Sequence, residues 1–132
     1  MIKTQILTPD GQVFEGEASG VQVPGTLGSF EIKRDHASIV SSMEIGSLRI
    51  TENDGKSSYF AISGGFVEAD DNSVIIMAEA AEEKSKIDVD RATEARKRAE
   101  ERLEKKPTDL DVERAELALK RALNRLKLAE VL

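Results

Sequence analysis

The chain has no cysteine and no tryptophan, one histidine (His36) and few aromatic residues. Without cysteine there is neither a disulfide framework nor a thiolate metal site. A single imidazole excludes any site that needs two. No run of about 18 apolar residues is present, so no helix is expected to span a membrane. The opening Met1–Gln5 reads as a strand and lacks the apolar stretch of a signal peptide. A soluble, cytosolic chain is therefore expected. Net charge is −6 over 132 residues. Residues 1–84 hold 6 Lys+Arg against 14 Asp+Glu, and residues 85–132 hold 13 against 11. An acidic body lacks the basic footprint that nucleic-acid binding needs.

What is present divides in two. The glycines and two of the three prolines fall in the first 84 residues, as turn punctuation between short strands. Strands are expected at 2–7, 21–23, 48–51, 59–62, 66–68 and 73–77. The turns between them carry Thr8-Pro9-Asp10-Gly11, Pro24-Gly25, Glu52-Asn53-Asp54-Gly55, Gly64-Gly65 and Asp70-Asp71-Asn72. This spacing predicts a sandwich or barrel. From Ala78 onward there is no glycine, and Ala, Glu, Lys, Arg and Leu dominate. Two helices are expected, over about 87–105 and 109–131. Pro107 pushes Lys106 out of helical geometry and ends the first. Thr108 can cap the second, with Asp109 and Asp111 in its first turn. So short a loop makes the helices antiparallel. The domains are therefore 1–84, β-rich, and 85–132, a helical hairpin.

The expected seam of that hairpin is mostly alanine. The first helix offers Ala92, Ala95, Ala99 and Leu103. The second offers Ala115, Ala118, Ala122 and Ala129, with Leu119 and Leu126 nearby. Alanine lets backbones approach but buries little area. The expectation is a hairpin that is helical by propensity and weakly zipped.

No catalytic set is found. Gly25, Gly28 and Gly64-Gly65 do not fit a phosphate-loop spacing, and Ser63-Gly64-Gly65 lacks a nucleophile elbow. His36 beside Asp35 has no partner nucleophile and reads as a loop-satisfying histidine. Asp70-Asp71-Asn72 reads as a solvated turn rather than a cation site. No metal site is expected.

Over essentially its whole length the chain resembles the epsilon subunit of F-type ATP synthase. The resemblance rests on Thr8-Pro9-Asp10-Gly11 in the opening segment, on Ala61 to Glu68 (AISGGFVE), and on Arg114 to Ala122 (RAELALKRA). One segment departs from the family pattern. Ile32-Lys33-Arg34-Asp35-His36 replaces a Leu-Pro-Gly-His-like stretch after Gly25-Thr26-Leu27-Gly28. The resemblance implies an N-terminal β-sandwich of about ten strands followed by a two-helix C-terminal domain. It implies a non-catalytic rotor subunit that binds gamma and the c-ring, with membrane association through the complex on the cytoplasmic face of a bacterial membrane. It further implies an inhibitory extended state of the helices against the alpha and beta subunits.

The resemblance also implies a regulatory ligand, ATP, with no cofactor required. Ile87-Asp88-Val89-Asp90-Arg91-Ala92 matches the Ile-Asp-x-x-Arg-Ala motif by which some bacterial members bind ATP. Glu82, Arg98, Arg121 and Arg125 match further positions of that site. Helix arithmetic supports the grouping. With the turn near residues 107–108, positions whose numbers sum to about 215 lie at one level, which sets Arg91 beside Arg125 and Arg121 between Arg91 and Arg98. Arg91 and Arg98, seven apart, share a face. Arg121 and Arg125 have no acid three or four residues along their helix, so a triphosphate could compensate them. Blander readings stand beside this one. Asp88 can cap the first helix, Ile87 can pack as a staple, and Arg121 and Arg125 can face solvent or an acidic partner segment. Two other functions remain open: a stand-alone ATP-sensing module, and a coiled-coil adaptor.

Overall fold

Alternating apolar residues and tight turns build the first unit. The computed structural model describes residues 1–105 and 108–130. Two units separate, residues 1–83 and 84–132. The first contains strands Ile2–Thr8 (β1), Gly11–Ala18 (β2), Gly20–Gly25 (β3), Gly28–Lys33 (β4), Ile39–Thr51 (β5), Ser57–Asp70 (β6), Ser73–Ala78 (β7) and Ala81–Glu83 (β8). Their order is β2-β1-β7-β6-β5-β3-β4, with β8 on β6. β1 and β7 pair in parallel, and all other pairs are antiparallel.

The architecture is the β-sandwich followed by helices that the sequence and resemblance imply. It uses eight strands because two of them are long. β5 runs for 13 residues and β6 for 14. Gly64-Gly65, expected as a turn, lies inside β6. There β6 exchanges partners: Gly65 to Asp70 pair with β7, and Phe60 to Ile62 with β8. Gly65 has φ +134, and a Cβ on it would stand 2.1 Å from the Met77 carbonyl oxygen, so only glycine fits there. The turn at Asp70–Ser73 carries positive φ at both Asp71 and Asn72, the conformation of a tight two-residue hairpin.

The core is aliphatic. Ile2, Ile6, Leu48, Ile50, Ile62 and Ile76 are fully buried, and Phe60 is 1% exposed. Phe14 meets Phe60 edge to face, with centroids 5.8 Å apart. Thr4, the one buried polar side chain among the described residues, donates to the Ile2 carbonyl.

The departing segment keeps its turn. Asp35 adopts φ +59, a left-handed conformation that aspartate tolerates better than most residues. Asn72 Oδ1 accepts the Asp35 backbone N–H at 2.7 Å, and Asn72 Nδ2 donates to the Asp35 carboxylate at 3.3 Å. The Asn72 bond to the carboxylate, and then the Arg34 guanidinium, lower the Asp35 pKa below its ordinary 3.8.

In the second unit a 3-10 turn at Lys84–Lys86 precedes helix Val89–Glu104 (α1), and helix Asp109–Glu130 (α2) follows. α1 is two residues later in starting than expected because Asp88 is its cap, not its first turn. Lys105 caps its C-terminus; Lys106 and Pro107, to which the break was assigned, lie outside the described residues, as does residue 131 at the expected end of α2. The Thr108 hydroxyl donates to Asp111 Oδ2 at 2.9 Å and receives the Asp111 N–H at 3.4 Å, capping the start of the helix. Four of the five buried residues in the helices are alanines: Ala92, Ala99, Ala115 and Ala122; Leu128 is the fifth. Ala95, Ala118, Ala129, Leu103, Leu119 and Leu126 are half-buried beside them.

Candidate functional site: an arginine-bearing helical hairpin

Each residue of the expected nucleotide site has a definite place. Glu82 lies on β8, opposite Ala61, in the first unit. It is half-buried and has a polar partner. The other seven belong to the second unit. Ile87, half-buried, sits between the 3-10 turn and α1, its N–H on the Lys84 carbonyl at 3.3 Å. Asp88 accepts the Arg91 backbone N–H at 3.0 Å through Oδ1 and is the N-cap of α1. Ala92 is 1% exposed, in the seam. Arg91 and Arg98 are exposed, and Arg121 and Arg125 are half-buried.

The motif thus separates by task. Asp88 starts the helix and Ala92 closes the hairpin, which leaves Arg91 as its solvent-facing cation. The capping role of Asp88 is one of the two readings open from sequence. Arg125 differs from the expectation of an uncompensated cation, because it has an interaction of its own. The ion pair that α1 does form is Arg96 to Glu100, at 3.3 Å and four residues apart. Sequence reasoning missed Arg96, whose half-buried stem flanks Ala92 and Ala99 at helical spacing, and Leu128, which the period from Ala115 through Ala122 does not reach.

Elsewhere the structure gathers little chemistry. His36 Nδ1 lies 2.8 Å from the Ala37 carbonyl oxygen, a loop contact. Among the described residues no group of three or more His, Asp or Glu side chains is placed to hold a metal ion. No described helix is long and apolar enough to cross a membrane. The first unit does expose apolar residues. Phe66 is 57% and Met77 43% exposed, and Leu7, Met77 and Phe66 stand in register across β1, β7 and β6. Leu27, at the β3–β4 hairpin tip, is fully exposed.

Comparison with known proteins places this architecture. Residues 1–84 match the family described as ATP synthase, Delta/Epsilon chain, beta-sandwich domain. Residues 85–130 match ATP synthase, Delta/Epsilon chain, long alpha-helix domain. The chain is 47% identical to the ATP synthase epsilon chain of Salinibacter ruber, over 97% of this chain and 91% of that one. It is 49% identical to that of Pelotomaculum thermopropionicum, over 96% and 94% respectively. A chain in the Euglena gracilis mitochondrial ATP synthase (OSCP/F1/c-ring) shares the fold, with TM-score 0.81 at 22% identity, over 93% of this chain and 78% of that one. The protein belongs to the ATP synthase delta/epsilon chain family.

Proposed function

We propose that this chain is a non-catalytic rotor subunit of an F-type ATP synthase, whose helical hairpin is held closed by ATP and opens to restrain ATP hydrolysis when ATP is scarce. The sandwich unit joins the gamma subunit and the c-ring. The exposed Met77 and Phe66, in register with the half-buried Leu7, and the exposed Leu27 support this role, because apolar surface of this kind marks contact with other proteins. Membrane association is indirect, through the complex on the cytoplasmic face, and the opened hairpin meets the alpha and beta subunits. Nucleic acid is not a partner. No cofactor is required.

The observation that carries the regulatory reading is the seam. Ala92, Ala99, Ala115 and Ala122 are its buried centre, and methyl groups contribute much less than leucine side chains. A ligand that binds only the closed state stabilises it by about 2.7 kcal/mol at a hundredfold excess over Kd. That is enough to decide the state of such a seam. Arg91, Arg98, Arg121 and Arg125 supply the phosphate-binding forks. Ile87, Asp88 and Ala92 set where Arg91 stands.

ATP titrated against the full chain and against Arg121→Ala is the test. The proposal expects saturable binding by the wild type and at least tenfold weaker binding by the variant. Equal, negligible binding by both would remove the nucleotide role. Co-purification with gamma and the c-ring tests the rotor role independently.

A further inference from the structure

The two helices repeat one another. Residues 87–104 (IDVDRATEARKRAEERLE) and 110–127 (LDVERAELALKRALNRLK) are identical at ten of eighteen positions, at an offset of 23. The repeat extends to packing. Ala92 corresponds to Ala115 and Ala99 to Ala122, and these are the four buried alanines. Two antiparallel helices with one repeated pattern are related by a pseudo-twofold axis across the hairpin. That operation keeps each flank of the pair on its own side.

Each repeat carries arginine at the same three places. In α1 these are Arg91, Arg98 and Arg102, and in α2 they are Arg114, Arg121 and Arg125. Each immediately precedes a seam residue, so all six lie on one flank. Pairing Ala92 with Ala122 and Ala99 with Ala115 fixes the levels, and a rise of about 1.5 Å per residue sorts the arginines into two triads. Arg91, Arg121 and Arg125 fall within about 6 Å along the axis. Arg98, Arg102 and Arg114 do the same nearer the turn, about 13 Å away. Each triad takes two residues four apart from one helix and one from the other.

Only the first triad lies wholly within the proposed nucleotide set, which takes Arg98 alone from the second. Arg98, Arg102 and Arg114 are exposed, and no ion pair among the described residues involves them. The carboxylates at the matching places, Asp88 and Asp111, are engaged at their helix starts. Glu94 and Glu101 stand four residues before and three after Arg98 without an ion pair to it among the described residues, and Arg102 has no acid three or four residues away.

We propose that Arg102 and Arg114, with Arg98 shared at the border of the nucleotide set, form a second subsite on the hairpin, for a phosphate-chain anion. It deepens the nucleotide reading and takes its template from the first triad. All three groups are guanidinium, so the subsite recognises the phosphate chain and not a base. Guanidinium forks from two helices suit vicinal phosphate oxygens. Occupancy would cross-link the turn end of the hairpin as ATP cross-links its open end.

Calorimetric titration of the full chain with inorganic tripolyphosphate at low salt tests this. Wild type is expected to bind two equivalents. Arg102→Ala/Arg114→Ala is expected to retain one and to weaken the other at least tenfold. Arg121→Ala/Arg125→Ala should keep the equivalent that the first variant loses. Lys97→Ala/Lys120→Ala, a repeat-related pair outside the arginine flank, removes equal charge and should keep both. Two equivalents of ATP would identify a second nucleotide as the source of the chain; one of ATP against two of tripolyphosphate would identify the free inorganic anion. Wild-type behaviour of Arg102→Ala/Arg114→Ala would overturn the subsite, as would equal weakening by the lysine variant or binding of an acidic peptide but not tripolyphosphate. Negligible ATP binding by wild type and Arg121→Ala alike, with the Arg102/Arg114 effect on tripolyphosphate intact, would instead remove the nucleotide reading alone.

Discussion

The sandwich unit and the hairpin are held together by different quantities of the same force. In the first, isoleucine, leucine, valine and phenylalanine side chains disappear from water: Phe60, Ile62 and Ile76 stand for a core that spans every layer of the sheet. In the second, four of the five buried side chains are alanines. Buried area scales the hydrophobic contribution, at about 25 cal/mol per Å², so the strands gain far more per residue. The helices rely on propensity and on their caps. Most helical stability in proteins comes from packing of an apolar face, so opening the seam also exposes these helices of 16 and 22 residues to fraying. The proposed function rests on this contrast, with the strands constant and the hairpin as the part that opens.

The largest expected effect attacks the stronger side. Phe60→Ala should cost about 3–5 kcal/mol and lower the thermal midpoint of the strands, read by near-ultraviolet dichroism or amide exchange. A loss below about 1 kcal/mol would break the contrast, since the core would then be as loosely held as the seam.

Next is Ala99→Leu. A larger side chain where two backbones approach closely should destabilise the closed hairpin by about 1–3 kcal/mol. Exchange in α1 and α2 should rise while β5 and β6 stay as protected as in wild type. A stabilised hairpin would mean the seam has room, and that its weakness comes from missing volume rather than close approach.

Asp88→Ala should cost about 1 kcal/mol of α1 stability, and Asp88→Asn little, because asparagine caps as well as aspartate. Helical dichroism without ligand reads the cap. ATP affinity of the two variants then separates capping from a charge-dependent contact.

The smallest effect is acid sensitivity at the β4–β5 turn. Asp35 has a folded pKa lowered by Asn72 and Arg34. Its contribution is therefore present above the unfolded value and lost as pH falls through the lowered folded value. Protection at residues 34–37, relative to the intrinsic exchange rate at each pH, should fall below about pH 4, and Asn72→Ala should reduce that dependence.

How much of this was legible in the sequence follows from which physics was local. Caps and helix formers act within one turn, so both helices, the Thr108 cap and the alanine seam could be read directly. Gly64-Gly65 could not. The same residues that make a turn also allow a strand to cross another backbone closely, and the distinction lies in Met77, on a different strand. β2 and β4 were missed because edge strands bury little and carry mixed charge, as in Glu15, Glu17, Glu31 and Lys33. At the candidate site the positions of the arginines were legible from helical period. The engagement of Arg125 was not, because no acid lies three or four residues from it along α2. The motif alone also left two tasks open for Asp88, and the bond to the Arg91 N–H gives it the cap.

The most direct measurement is amide exchange by mass spectrometry on the full chain, with and without ATP. The account predicts that α1 and α2 exchange far faster than β5 and β6 in the absence of ATP. At a hundredfold excess over Kd, ATP should slow the helices by about 100-fold and leave the strands unchanged. Helices as protected as the strands, with no response to ATP, would contradict it.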